Sequence, residues 1–497
     1  MDSGAGYQSL PQAPTDPNDH TNTTLLRRSL ELEDDEELLA ESIITQEVQS
    51  TADSRIRWVH FVLGCAVLLP WNAIITATPF FLSRLEGSSL KSTFSSYLST
   101  SFTISNFIFL AHATATSDQA TTARRTLLSI LTLTVLTFMF TVSTFITTSP
   151  GIYFAFVILN GVAQAAAGSY LQTSVIAVAS LFGPTAMQAL FSGQAAVGVA
   201  VSAIQVISSA ASVGTTATAE QLAESKPEER SAFIFFGIST IFLLFSAAAH
   251  AWLIRLPSYK AVVGQFSHIR HRSRGETGAS LEDSILSVTS LLSTTGPKVD
   301  SAQRRTQIIR VAKSNIVYNL AVAYVFVITL SVFPPITISI VPTNPATHPL
   351  LFSAVHFLVF NVGDFTGRTI CSYPRLLVWS SRRLSVFSFA RTLFIPIFLL
   401  CNIQRGGSST AAPAFINSDI IYMLILLTFG ATNGYVSTLL MMSASSVEHN
   451  PYLRGRVEDV DVAATVASFF LIGGLALGSF ASFAVRAAIC DCNPFRD

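Results

Sequence analysis

After about fifty polar positions, the chain becomes a series of long apolar runs joined by polar links. A bilayer-spanning helix needs roughly 20 mostly apolar residues. Runs of that kind fall near 58–82, 93–114, 126–148, 152–182, 186–213, 231–256, 314–341, 349–371, 385–403, 419–446 and 461–487. They predict an all-α polytopic membrane protein with 11 transmembrane helices. The second run, FSSYLSTSFTISNFIFLAHATA, is diluted by Ser and Thr, whose hydroxyls can bond back to their own helix or line a wet path. Composition agrees: 50% of residues are hydrophobic and 12% charged, with a mean hydropathy of +0.50. Soluble domains carry about 25% charged residues. The first apolar run is too long for the core of a cleaved secretory leader.

Two stretches read as unstructured, because neither has enough apolar surface to offset the entropy of ordering. One is the tail, 1–56. The other is the Ser/Thr-rich loop 257–313, which divides the spans into bundles of six (57–256) and five (314–487), ahead of a short tail at 488–497. The positive-inside bias sets the orientation. With a cytoplasmic N-terminus, 21 of the 30 Lys and Arg residues lie inside and 7 outside, with Arg368 and Arg391 within spans. The tail 488–497 is then lumenal or extracellular. Within the first tail, DDEELLAE places Asp34 four residues ahead of Leu38 and Leu39. That spacing is the form of an acidic-dileucine sorting signal, read by a sorting adaptor on the way to vacuoles or lysosomes; the plain alternative is a short acidic helix. Zero net charge gives no argument for a nucleic-acid partner, and five scattered cysteines form neither a disulfide framework nor a metal spacing.

The informative residues are those a lipid anchor would not contain. A charged residue at a helix centre costs on the order of 2.5–3.5 kcal/mol. The eighth run nevertheless reads HFLVFNVGDFTGRTI, with Phe357, Asn361, Asp364 and Arg368 spaced to share one helical stripe. At i, i+4 the carboxylate and guanidinium compensate each other. Such a stripe faces protein or a watery cavity. It is either a salt bridge locking two helices or a site where a carboxylate accepts from paired hydroxyls and an arginine donates to their oxygens. The fourth run holds Gln164 and Gln172 on nearly one face, as interhelical ties or as partners for a heterocyclic edge. The seventh ends at Phe333, Pro334 and Pro335, where two prolines break a helix. The first reads LLPWNAIITATPFF: Pro70 kinks it, Asn72 can repair the kink, and Leu68, Trp71 and Ile75 share a face that suits a planar ring. Gly430/Gly434 and Gly474/Gly478 are small-xxx-small pairs that read as helix packing.

These segments together resemble the equilibrative nucleoside transporter family. LLPWNAIITATPFF is similar to its first-span signature, LFSGQAAVG to the start of its fifth span, and FNVGDFTGRT to its eighth-span motif. ARTLFIPIFLLCNI and TNGYVSTLLMM are similar to its ninth and tenth spans. The resemblance covers about 57–487. It implies an alternating-access carrier of nucleosides, facilitative or proton-linked, with nucleobases as a further substrate class, on a two-bundle fold related to the major facilitator superfamily. It implies that Trp71 packs on the nucleoside with Leu68 and Ile75 beside it. Gln172 then meets the base, Asp364 and Arg368 hold the ribose hydroxyls near Asn361, and Phe333 and Phe357 form apolar walls. No cofactor is implied. Ile75 and Gly363 depart from residues found in other members, which bears on selectivity rather than class.

Two rivals remain at this level. GDFTGR resembles the D-x-x-G-R loop signature of major facilitator carriers of drugs or sugars, though here it ends an apolar run. A receptor without transport is the other. No G-x-x-x-x-G-K-[ST] loop and no His–Glu–x–x–His pair appears, so neither an ATP-driven pump nor a zinc protease is indicated.

Overall fold

The computed structural model describes residues 54–214, 227–276, 297–344, 347–403 and 415–490; Asp34, Leu38 and Leu39 lie outside them. The helices of the first half are α1 (Ser54–Thr76), α2 (Thr78–Arg84), α3 (Phe94–Ala115), α4 (Gln119–Ser143), α5 (Pro150–Leu181), α6 (Gly183–Gly214) and α7 (Pro227–Leu253). Two connecting helices follow, α8 (Pro257–Glu276) and α9 (Pro297–Ser314). The second half comprises α10 (Ile316–Val332), α11 (Pro349–Ile370), α12 (Ser381–Ala390), α13 (Phe394–Leu399), α14 (Asp419–Ser445) and α15 (Val460–Cys490). Five of these helices begin on proline, which lacks a donor that the first turn would leave unused anyway.

Among the described residues, nine helices are long and apolar enough to cross a bilayer: α1, α4, α5, α6, α7, α10, α11, α14 and α15. The other two expected spans differ for physical reasons. α3 is a full helix, but Ser and Thr lower its hydropathy, and Ser101 Oγ bonds back to the Tyr97 carbonyl at 2.6 Å. The run near 385–403 is α12 and α13 joined by a tighter 3-10 turn, Arg391–Leu393. Pro396 removes a backbone donor there and crowds the carbonyl of residue 392.

Three further expectations need correction. The 257–313 segment is not wholly unstructured: α8 and α9 occupy much of it. Tyr259, Val262 and Phe266 form a buried stripe on α8, with Tyr259 stacked on Phe182 at 5.8 Å. On α9, Arg310 pairs with Asp459 at 2.9 Å. A stripe this sparse gains a partner only in the folded chain. In α1, helix continues through Pro70 to Thr76, and Asn72 Nδ2 donates to the Leu68 carbonyl at 2.9 Å, not to the Ala66 carbonyl that Pro70 orphans. α15 also continues to Cys490, past the expected boundary at 487.

Within the first half α1 packs on α6 and α7, and α5 on α3 and α4; within the second, α11 packs on α14 and α10 on α15. Between halves, α6 lies against α11 and α14, and α15 against α5 and α3. Backbones touch where α11 crosses α14: a Cβ on Gly367 would overlap the Ala431 carbonyl and one on Gly434 the Asp364 carbonyl. This fixes α11 and α14 as one unit.

Candidate functional site

α11 presents the polar stripe to the interior. Asp364 and Arg368 are buried, at 6% and 7% exposure, although both are charged. Arg368 Nε donates to Asp364 Oδ2 at 2.9 Å. The other carboxylate oxygen, Oδ1, accepts from Asn433 Nδ2 of α14 at 2.7 Å. Thr329 Oγ1 of α10 donates to Asn433 Oδ1 at 2.7 Å and accepts from Arg391 Nη2 at 2.9 Å. Arg391 Nη1 donates to the Phe429 carbonyl at 3.0 Å, and its guanidinium lies 4.6 Å from the Phe429 ring centre. A continuous polar chain thus runs Arg368–Asp364–Asn433–Thr329–Arg391 through four elements.

Three of those five residues, Asn433, Thr329 and Arg391, were not singled out from the sequence. The available signal was an amide between Gly430 and Gly434, and an arginine deep in an apolar run with no acid nearby in sequence. GDFTGR lies inside α11 rather than in a loop, unlike the signature of the drug- and sugar-carrier rival.

Arg368 also reaches the first half. Its Nη1 donates to the Phe191 carbonyl of α6 at 3.3 Å, and Gln188 Nε2 donates to the Arg368 carbonyl at 3.0 Å. Arg368 Nη2 makes no hydrogen bond to a described residue, which leaves both of its N–H donors unspent. One turn or two along α11, Asn361 Nδ2 donates to its own helix at Phe357 and to Ser202 Oγ of α6 at 3.4 Å.

The remaining expected residues fall into separate groups. Trp71 is half-buried and stacks on Phe102 of α3, with centroids 4.0 Å apart and planes at 26°, so one ring face is taken. Leu68 is half-buried, whereas Ile75 is 45% exposed. Gln172 Nε2 donates to Ser468 Oγ of α15 at 3.1 Å, an interhelical tie between the halves, and Oε1 has no partner among the described residues. Gln164 bonds within its own helix to Asn160. α10 stops before Phe333, as the two prolines require, and Phe333 stacks on Phe360 at 4.1 Å and meets Phe357 edge-on at 5.1 Å.

No hydrogen bond or ring contact among the described residues joins Trp71 or Gln172 directly to Asp364 or Arg368. The link from Trp71 is α6. Gly64, seven residues before Trp71, packs against the Leu190 carbonyl, and Cys65 Sγ donates to the Gly193 carbonyl at 3.1 Å. Leu190 precedes the Phe191 that accepts from Arg368. One short stretch of α6 therefore touches both α1 and the charged pair.

Comparison with known proteins identifies a family. The family model described as nucleoside transporter matches residues 157–487. Equilibrative nucleoside transporter 1 of Rattus norvegicus is 25% identical over 477 residues, covering 87% of this chain and 96% of the relative. Equilibrative nucleoside transporter 2 of Homo sapiens is 26% identical, with 86% and 96% covered. Equilibrative nucleotide transporter 1 of Arabidopsis thaliana is 25% identical, with 85% and 84% covered. Among solved structures, the Escherichia coli fucose:proton symporter superposes with a TM-score of 0.47 at 12% identity, covering 87% of this chain and 93% of that one. With multiple apolar helices around a buried polar chain and a family match over most of its spans, the chain belongs to the nucleoside transporter family, and it is a membrane transporter rather than an enzyme.

Proposed function

We propose that this transporter moves nucleosides across its membrane by alternating access, with Asp364 and Arg368 as the clamp for the ribose. The observation that carries this reading is the buried pair itself: both groups are oriented by neighbours, yet Arg368 Nη2 remains unspent. Vicinal hydroxyls donate to the remaining lone pairs of Asp364 and accept from Nη2. Asn433 holds the carboxylate in place and Arg391, through Thr329, holds Asn433. At the other end of the ligand, the open face of Trp71 packs on the base, and Gln172 Oε1 accepts from a ring or exocyclic N–H. Leu68 and Ile75 flank the ring; Phe333 and Phe357, with Asn361 between them and the clamp, form the apolar boundary.

The same arginine supplies a reason for movement. Nη1 is bonded to α6 and the Arg368 carbonyl accepts from Gln188, so the clamp doubles as the latch between halves. A ribose that draws the guanidinium toward itself weakens that latch. A nucleoside satisfies both ends of the site, while a free nucleobase lacks the hydroxyls and engages only Trp71 and Gln172. In this reading the N-terminus is cytoplasmic, and the protein resides in a vacuolar or lysosomal membrane, where Asp34, Leu38 and Leu39 would direct it, or in the plasma membrane.

Uptake of labelled adenosine, uridine and adenine by the purified protein in liposomes, with and without a pH gradient, tests the assignment. Adenosine and uridine should enter well above empty liposomes and faster than adenine. Absence of saturable flux for every nucleoside offered would refute it; dependence on the gradient would separate proton-linked from facilitative transport.

A further inference from the structure

We propose that the groove between α1, α6 and the C-terminal end of α11 binds the headgroup of an anionic glycerophospholipid. The groove encloses about 320 Å³, room for a phosphoglycerol group with its acyl chains left outside. Its lining changes character along the membrane normal, and does so in the same sense on two helices of opposite direction. On α1 the outer positions are Ser54 and Arg57, and the inner ones Trp58 and Phe61. At the end of α11 the outer positions are Thr369 and Ser372, and the inner one is Phe365.

Charge narrows the occupant. Arg57 is exposed and makes no hydrogen bond or ion pair with a described residue, and among the described residues no acidic one lines the groove. A phosphate ester finds a cation there, with the Thr369 and Ser372 hydroxyls, which bond back to the Phe365 and Thr369 carbonyls, able to turn toward it, whereas the ammonium of a choline or ethanolamine headgroup would meet Arg57 with no carboxylate among the described lining to answer it. Trp58 is 50% exposed and meets Phe245 of α7 edge-on at 5.7 Å, which places an interfacial aromatic at the mouth and opens the groove sideways toward lipid. Gln188 and Ser192 of α6 form the floor, and Gln188 is the residue that bonds the Arg368 carbonyl. A lipid seated here would bridge the two halves beside the latch, independently of which solute is carried.

Native mass spectrometry and thermal melting of the purified full-length protein in detergent, titrated with phosphatidylglycerol or phosphatidylcholine, test the proposal. Wild type should retain phosphatidylglycerol about five-fold better, the scale expected of one arginine at a membrane surface, and melt higher with it. Arg57→Gln should lose the preference, while Lys91→Gln, at the exposed ion pair with Glu86, should keep it. If Arg57→Gln does not fold, Ser372→Asp, which sets a negative charge at headgroup level, should lose it instead. Equal retention of the two lipids by wild type, or an unchanged preference in the folded variant, would overturn the proposal. So would an equal melting shift with glycerol 3-phosphate, which would assign the groove to a soluble anion.

Discussion

Arg391 is fully buried, at 1% exposure, and no carboxylate among the described residues bonds to it. Its charge is answered by a carbonyl, the hydroxyls of Thr329 and Thr432 and the face of Phe429. Asp364 lies within electrostatic reach, so this carboxylate stands between two guanidinium groups. Removing one member of such a pair strands a buried charge, at a cost of about 3–5 kcal/mol. Loss of uptake in Arg368→Ala would therefore mix instability with a lost contact. The double change Asp364→Asn with Arg368→Gln strands no charge within the pair, and Arg391 keeps its carbonyl, hydroxyl and ring partners although it loses the nearby carboxylate. It should reach the membrane and melt above Arg368→Ala, yet lose uptake about ten-fold or more, since a hydrogen bond to a charged group contributes about 1.5–3 kcal/mol. Wild-type uptake in that folded variant would sink the ribose clamp. At the other end, Trp71→Phe keeps a ring against Phe102 and should retain more uptake than Trp71→Ala; equal uptake would leave Trp71 a purely structural role.

At the level of helices, the site depends on how closely α11 and α14 approach. Gly363 departs from larger residues at the matching place in the resembling family, and the structure gives it a packing role: a Cβ there would overlap the Leu427 carbonyl. Gly434→Ala should push α14 off the Asp364 turn, cost about 1–3 kcal/mol and lower both melting temperature and uptake. Gly168→Ala on α5, where nothing lies within 4 Å of the added atom, should change neither. Equal melting of the two variants would refute the crossing as the feature that sets Asn433 on Asp364. The α11 stripe was legible in the sequence because Phe357, Asn361, Asp364 and Arg368 are ordered by helical period alone. Asn433 and Arg391 were not, because pairing between helices leaves no spacing to read. The same holds for α8, whose stripe of Tyr259, Val262 and Phe266 is recognisable only beside Phe182. The ninth span was read as one helix because its hydropathy is continuous, whereas Pro396 and the buried Arg391 tighten its middle.

Among the described residues the two halves meet through few polar contacts, and these sit at different heights. Gln172–Ser468 joins α5 to α15, Asn361–Ser202 joins α11 to α6, and Gln188 and Phe191 hold Arg368 near the end of α11. Alternating access requires that the last set break while a pivot elsewhere persists, and each hydrogen bond contributes only about 0.5–1.5 kcal/mol net. Loss of one bond at the latch is thus enough to shift a closely balanced equilibrium several-fold. Gln188→Leu removes the donor to the Arg368 carbonyl and leaves the Asp364–Arg368 pair untouched. Spin labels at Arg124→Cys in the first half and Arg382→Cys in the second, both exposed and at the same end as the latch, report its opening. With all five native cysteines replaced, the distance distribution of Gln188→Leu should gain a longer component that the ligand-free parent lacks, and a nucleoside should bring out that component in the parent. If both distributions coincide and neither responds to ligand, Arg368 is a clamp without being a latch, and the halves are held together by packing alone.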